Sequence, residues 1–444
     1  MRIVIVGGGQ VGYVLAHTLS VRHEVVVIDH DPSVADRFES LDVEFLQGGG
    51  TAGDTLRDAG VQRADVFVGC TGLDEVNIVA CAMANRHGSP QTICFVSRED
   101  FLSQNGQHGL EQFGIDRVVW PEAQLVADIE RIVSAPGALD AEEFAGGAVR
   151  LLEYRLGEES PLTAGPVAGL HLPEGSLLVA VRRGERFFIP RGDSQLLPGD
   201  KVVIMGTPDA MVAVQARVGG TRQPGEQVVT IIGGGDVGLG LAERLDVSTR
   251  VRLRIIERDV ARGELLAARL RRALVLNGDG TDLELLEAED VGRSDVLVSV
   301  IDNDERNLLA SLLGRQLGNG RVSTRVSKPS NLRLFERVGV DVAISARGAA
   351  VASVLHQIEG GPSRLLAVLE EGEGRILELE VPATYEPRAL RDLEPPRDSI
   401  VGAILRGDAA IVPRGHDRLL GGDRILVFST RESADRVRDF FRSA

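Results

Sequence analysis

Ile3-Val4-Ile5-Val6-Gly7-Gly8-Gly9-Gln10-Val11-Gly12 opens the chain, and Val228-Val229-Thr230-Ile231-Ile232-Gly233-Gly234-Gly235-Asp236-Val237-Gly238 repeats it 226 residues later, counted from Gly7 to Gly233. Each time an apolar run of strand type leads into Gly-x-Gly-x-x-Gly, and a helical pattern follows. An acidic residue stands about twenty positions on, Asp29 in the first copy and Glu257 in the second. One such motif is weak evidence. Two in matching context predict a duplicated nucleotide binder.

Working outward, short and nearly continuous apolar runs alternate with helical patterns: Arg2–Val6, Val25–Ile28, Val43–Leu46, Val66–Gly69, Ile93–Val96 and Arg117–Val119. Runs of that texture suit parallel strands buried on both faces. The second half repeats the order with Arg254–Ile256, Ala273–Leu276 and Val296–Val300. Gln47-Gly48-Gly49-Gly50-Thr51 and Asn277-Gly278-Asp279-Gly280-Thr281 follow the third strands, 230 residues apart from Gly48 to Gly278. Asp74-Glu75-Val76-Asn77 and Asp304-Glu305-Arg306-Asn307 follow the fourth. After each sheet comes a helix with an apolar stripe, at Leu125, Ile129, Ile132 and Val133 or at Val351, Val354, Leu355 and Ile358. These stripes fit hinge helices, subunit contacts or plain intrachain core.

Beyond them the texture turns to short alternating strands with Gly and Pro turns. Val179–Arg183 and Glu185–Ile189 flank a turn at Gly184. Gly184, Arg191-Gly192 and Gly199-Asp200 recur 223 residues on as Gly407, Arg414-Gly415 and Gly422-Asp423. The fold expected is α/β: two Rossmann-like doubly wound parallel sheets, each followed by a small α+β C-lobe. The expected domains are 1–135 and 226–360 for the sheets and 136–220 and 361–444 for the C-lobes, with a polar linker near Gly219–Gln227.

The 444 residues exceed one ordinary core, and 43% hydrophobic content is that of a globular chain. A formal charge of −16 argues against a nucleic-acid groove. Cys70, Cys81 and Cys94 sit at no metal or redox spacing and read as small buried hydrophobes in a reducing compartment. No stretch reaches the roughly twenty apolar residues of a membrane span. The chain enters a strand at Arg2 with no signal-peptide pattern, so a cytoplasmic location is expected, with membrane association only through a partner.

Gly7 and Gly9 read as clearing the approach of backbone N–H groups to a pyrophosphate, and Gly12 as allowing close helix–strand packing. The helix N-terminus adds partial positive charge. Asp29 and Glu257 stand where a carboxylate accepts from ribose hydroxyls, and their charge disfavours a 2′-phosphate, so NAD-type or adenine nucleotides outrank NADP. Thr71 and Gly72, with Ile301 and Asp302, either line the adenosine pocket or cap the next helix. None of the eight histidines recurs in equivalent positions of the two copies, and no nucleophile motif or metal-ligand spacing appears. The small β units read as too short for a deep substrate cavity. A regulator is therefore expected; a soluble NAD-dependent oxidoreductase with duplicated cofactor domains is the alternative.

The two glycine motifs, the Asp-Glu-x-x-Asn segments, Pro136-Gly137-Ala138-Leu139-Asp140, Glu142-Glu143-Phe144-Ala145 and Leu334-Phe335-Glu336-Arg337-Val338-Gly339-Val340-Asp341 together resemble the TrkA family. These are cytoplasmic regulatory subunits of bacterial Trk potassium uptake systems, built from tandem RCK modules. The resemblance implies a non-catalytic homo-oligomeric ring, a tetramer favoured, beneath a membrane potassium-translocating subunit. It implies that NAD or NADH, and ATP or ADP, bind the sheet domains and gate the transporter. The matching contacts are Gly7, Gly8, Gly9, Gln10, Val11, Gly12, Asp29, Thr71 and Gly72 in the first copy. In the second they are Gly233, Gly234, Gly235, Asp236, Val237, Gly238, Glu257, Asp279 and Arg325. Gly49 and Phe95 stand where the family often has Asp or His and an arginine, which implies a weaker or differently selective first site.

Overall fold

The computed structural model describes residues 1–88, 90–98, 101, 109–184, 186–218, 227–328, 331–358, 363–369, 373–407 and 409–443. The first sheet is built from β1 (Arg2–Val6), β2 (Glu24–Asp29), β3 (Val43–Gln47), β4 (Val66–Gly69), β5 (Gln91–Phe95) and β6 (Arg117–Val119). All its ladders are parallel, in the order β3-β2-β1-β4-β5-β6. The order reverses between β1 and β4, which opens a crevice at their carboxyl ends. Helices Gln10–Leu19 and Asp74–Gly88 flank that point.

A small antiparallel sheet follows: β7 (Asp140–Phe144), β8 (Val149–Arg155), β9 (Ser176–Arg183), β10 (Arg186–Phe188) and β11 (Lys201–Gly206). The expected turn at Gly184 joins β9 to β10 with Gly184 at φ +59°, while Glu185 lies outside the described residues, as does the linker 219–226. The second large sheet uses β12 (Gln227–Ile232), β13 (Val251–Glu257), β14 (Leu274–Asn277), β15 (Val296–Ser299), β16 (Arg321–Arg325) and β17 (Val342–Ile344), in the order β14-β13-β12-β15-β16-β17. The last sheet takes β18 (Ser363–Leu369), β19 (Gly374–Glu380), β21 (Ser399–Arg406), β22 (Ala409–Ile411) and β24 (Arg424–Thr430). A short ladder joins β20 (Arg388–Ala389) to β23 (Arg418–Leu419). The fold class read from the sequence is thus the one observed. Among the described residues no helix is long and apolar enough to cross a membrane.

The chain forms two compact units. One comprises Met1–Val126, Val326–Leu332 and Ile344–Ile358. In it the helix Ala346–Ile358 buries Ala350, Val351, Val354, Leu355 and Ile358 in one core with Ile3, Leu15, Leu19 and Val27. A helix that follows the second sheet in sequence therefore packs on the first.

The other unit holds the rest of the chain, including the C-terminal part of the helix Pro121–Val133, whose Ile129, Ile132 and Val133 are buried. Arg321, at the start of β16, is buried and donates to the carbonyls of Ile132 (2.8 Å), Ala135 (3.0 Å) and Ala138 at that helix end. Cations suit helix C-termini because the last carbonyls lack partners. Both apolar stripes are buried within the chain, and that of the helix Ala346–Ile358 packs on the sheet of the opposite half. The two small sheets also share a core, in which Val149, Leu151, Val179 and Met205 meet Ile376, Ala403, Leu426 and Phe428. Their common ancestry shows in matching ion pairs, Arg183 with Asp200 (2.7 Å) and Arg406 with Asp423 (2.8 Å).

Candidate functional site

At the first crevice the three motif glycines meet different demands. Gly7 lies at φ +112°, and a Cβ there would come within 2.9 Å of the Cys70 carbonyl and the Thr71 nitrogen. A Cβ on Gly12 would sit inside the Gly7 carbonyl oxygen. Gly8 is enclosed by Val34, Asp29 and Phe38. At Gly9, by contrast, among the described residues no atom lies within 4 Å of the Cβ position. The second crevice repeats this: Gly233 at φ +103° against Val300 and Ile301, Gly234 against Leu266 and Glu257, Gly238 inside the Gly233 carbonyl, and Gly235 open. The expectation that Gly7 serves phosphate clearance is corrected here. Its backbone conformation and the β4 exit already require glycine, and of the motif glycines only Gly9 and Gly235 face space free of described residues.

Gly9 and Gly235 are also the N-caps of helices Gln10–Leu19 and Asp236–Asp246, with no capping side chain among the described residues. The first-turn N–H groups there point outward without a side-chain acceptor. Asp29 braces the loop: its Oδ2 accepts from Gly8 N–H (2.5 Å) and its Oδ1 from Asp31 N–H (2.9 Å). Glu257 does the same for Gly234 (2.6 Å) and Asp259 (2.7 Å). Each carboxylate keeps lone pairs for further donors. Val11 and Val237 continue the two helices behind the loops.

The Asp-Glu-x-x-Asn segments supply a staple that the sequence reading noticed without a role. Buried Asn77 accepts from Thr71 N–H (2.7 Å) and donates to the carbonyls of Thr71 (3.1 Å) and Phe95 (3.0 Å), tying the β4 exit to β5. Asn307 matches it with Ile301 N–H (2.8 Å) and the carbonyls of Ile301 (2.7 Å) and Arg325 (3.0 Å). Thr71 is thus held at the crevice by Asn77, while Gly72 is exposed with open Cβ space. Cys70, behind Gly7, is buried, and burial first, then the Asp29 charge, pushes its thiol up to about 12. It stays a neutral packing group.

The two crevices differ in charge, and they differ pair by pair. In the second, Arg262 meets Asp236 (2.9 Å), Arg306 meets Asp279 (2.7 Å) and Arg325 meets Asp302 (3.0 Å). Burial pushes the Asp279 carboxyl up, but hydrogen bonds from Thr281 and Arg306 outweigh it and hold the group below its usual range. At the matching positions of the first copy stand Val34 with Gln10, Val76 with Gly49, and Phe95 with Gly72. Gly49 and Phe95 read as isolated departures in the sequence; each is half of a pair replaced together. Arg262 was not singled out in the sequence and Arg306 was given no role at the crevice there, although comparing charges across the repeat could have found both. Arg347, which donates to Gln10 (2.8 Å), could not have been found that way, since it comes from the far half of the chain.

The paired small sheets form a cleft of about 610 Å³, with Ala168, His171, Leu390, Arg391, Ile400 and Arg414 in its wall. Each C-lobe alone is short, as the sequence suggested. The cleft is lined from both.

Comparison with known proteins agrees along the chain. The TrkA-N domain family matches residues 3–121 and 229–346, and the TrkA-C domain family matches 151–219 and 376–442. "Trk system potassium uptake protein TrkA homolog 1" of Methanosarcina mazei is 37% identical over 451 residues, covering 100% of both chains. The Trk system potassium uptake protein TrkA of Halomonas elongata is 30% identical, covering 100% of this chain and 98% of its own. Among solved structures, the GsuK RCK domain superposes with a TM-score of 0.60 at 19% identity, covering 100% of this chain and 95% of its own. The GsuK channel bound to NAD gives 0.60 at 18%, covering 100% and 79%. At that identity the likeness is one of fold.

Proposed function

Since this chain belongs to the TrkA family of Trk-system potassium uptake proteins, we propose that it is a regulatory subunit that senses nucleotides and gates a membrane potassium-translocating partner. NAD or NADH, with ATP or ADP as further ligands, occupies the two crevices. Gly7 to Gly12, Asp29, Thr71 and Gly72 hold the first ligand; Gly233 to Gly238, Glu257, Asp279 and Arg325 hold the second. One observation carries this reading. Among the described residues every motif glycine is walled in by the protein except Gly9 and Gly235, whose empty Cβ directions lie beside helix N-termini that lack capping side chains. Room and donors together fit a diphosphate. The NAD held by the structurally similar GsuK channel supports that ligand class.

The subunit works as a homo-oligomeric ring, a tetramer, attached to the inner face of the membrane through its partner. Gating requires nucleotides to bind two arrangements of the assembly with different affinity. β16 offers a route for that coupling. It carries Arg325 at the crevice end and Arg321 at the other, where Arg321 grips the end of the helix leading into the first C-lobe.

Purified protein is expected to gain thermal stability with NAD, NADH, ATP or ADP, and potassium flux through the co-reconstituted membrane partner should change with the nucleotide. A melting curve unmoved by all four ligands would refute the sensor. Nucleotide binding with flux unchanged would refute the gating.

A further inference from the structure

Arg347 occupies an electrostatically adverse place. It lies in the first turn of the helix Ala346–Ile358, which carries no acidic residue in that turn. Its guanidinium reaches Gln10, the first residue of the helix Gln10–Leu19. A cation is thus set at the positive ends of two helices, where cations are disfavoured. Among the described residues no carboxylate pairs with it, and the neutral Gln10 amide is its hydrogen-bond acceptor. In the second crevice the matching residue is Asp236, and the guanidinium found there, Arg262, is paired with it. The first crevice is therefore short of an anion, one residue beyond the open face of Gly9.

We infer that Arg347 is a phosphate-binding residue of the first crevice, which consequently favours a nucleoside di- or triphosphate over a dinucleotide. This rests on the nucleotide reading above. The glycine loop receives the bridging phosphate or phosphates, and the terminal phosphate at the end of the chain extends toward Gln10. A terminal phosphomonoester carries about −1.5 to −2 charges at neutral pH, more than a bridging phosphate, and its three oxygens match the guanidinium fork. A dinucleotide places a ribose there instead. Because the apolar face of the same helix is buried against the first sheet, Arg347 needs only side-chain rotation to leave Gln10 for a phosphate.

The test uses the full chain with Gly235→Asp silencing the second crevice, titrated calorimetrically with ATP, ADP, NAD and adenosine. The parent should bind ATP and ADP more tightly than NAD. Arg347→Gln should weaken ATP and ADP about tenfold and leave adenosine within about twofold. Gln10→Glu keeps the arginine but gives it a carboxylate partner, and should weaken the same two ligands; it decides the matter if Arg347→Gln folds poorly. Equal losses for all four ligands, or no loss in either variant, would overturn the inference. Failure of the unaltered chain to bind any nucleotide would instead overturn the reading beneath it, and this inference with it.

Discussion

Gly9 and Gly12 lie on the same loop, yet a methyl group added to each has opposite consequences. At Gly12 it meets the Gly7 carbonyl, which is backbone fixed at the end of β1 and cannot yield. Overpacking of this kind costs about 1–3 kcal/mol, so Gly12→Ala should lower the melting temperature by several degrees with or without nucleotide. At Gly9 the backbone is extended, with φ −67° and ψ −164°, which alanine adopts freely, and the space is open. Gly9→Ala should keep the unliganded melting temperature nearly unchanged but lose most of the nucleotide-induced shift from that crevice. Thermal melts of both variants, with matching Gly235→Ala and Gly238→Ala, check this. A Gly9→Ala protein that unfolds easily would show that the fold, not a ligand, demands that glycine.

Among elements, the junction between the helix Pro121–Val133 and β7 gathers charge out of water. Arg131 there meets Glu142 (2.6 Å) and Asp128. Burial pushes the Glu142 carboxyl up to about 7; Arg131 opposes the shift, and Asp140 adds to it. Between its ordinary value of 4.5 and about 7, the native state keeps a proton that the unfolded chain has released. The stability tied to that proton is complete below pH 4.5 and is lost as pH rises through 7. Melting temperature should fall from pH 5 to pH 7.5, and Glu142→Gln should flatten the fall; an equal slope in the variant would place the proton elsewhere. The packing at this junction also marks where sequence reading stops. Val25–Ile28 and Val66–Gly69 were legible as strands because parallel strands buried on both faces become continuous apolar runs. Leu125, Ile129 and Val354 were legible as buried positions, but an apolar stripe does not say which sheet covers it. That the helix Ala346–Ile358 packs on the first sheet is therefore visible only in three dimensions.

Across the whole molecule, duplication has kept the cradle and changed its surroundings. The loop glycines, the bracing carboxylates Asp29 and Glu257, and the staples Asn77 and Asn307 are common to both crevices. The three arginine–carboxylate pairs belong to the second alone, and each has its neutral counterpart pair in the first. Replacing both members together leaves no orphaned charge, which is the arrangement that would cost most. Each pair is partly exposed and contributes at most about 1 kcal/mol by itself. Together they tie Arg262, Arg306 and Arg325 around the second crevice before a ligand arrives, so less ordering remains to be done on binding. The second crevice should accordingly hold a dinucleotide more firmly than the first. Equilibrium titration of the full chain with NADH should resolve a tighter and a weaker event. Glu257→Ala should abolish the tighter one and Asp29→Ala the weaker; the opposite assignment would mean that the arginines of the second crevice are locked onto their carboxylates and resist the ligand.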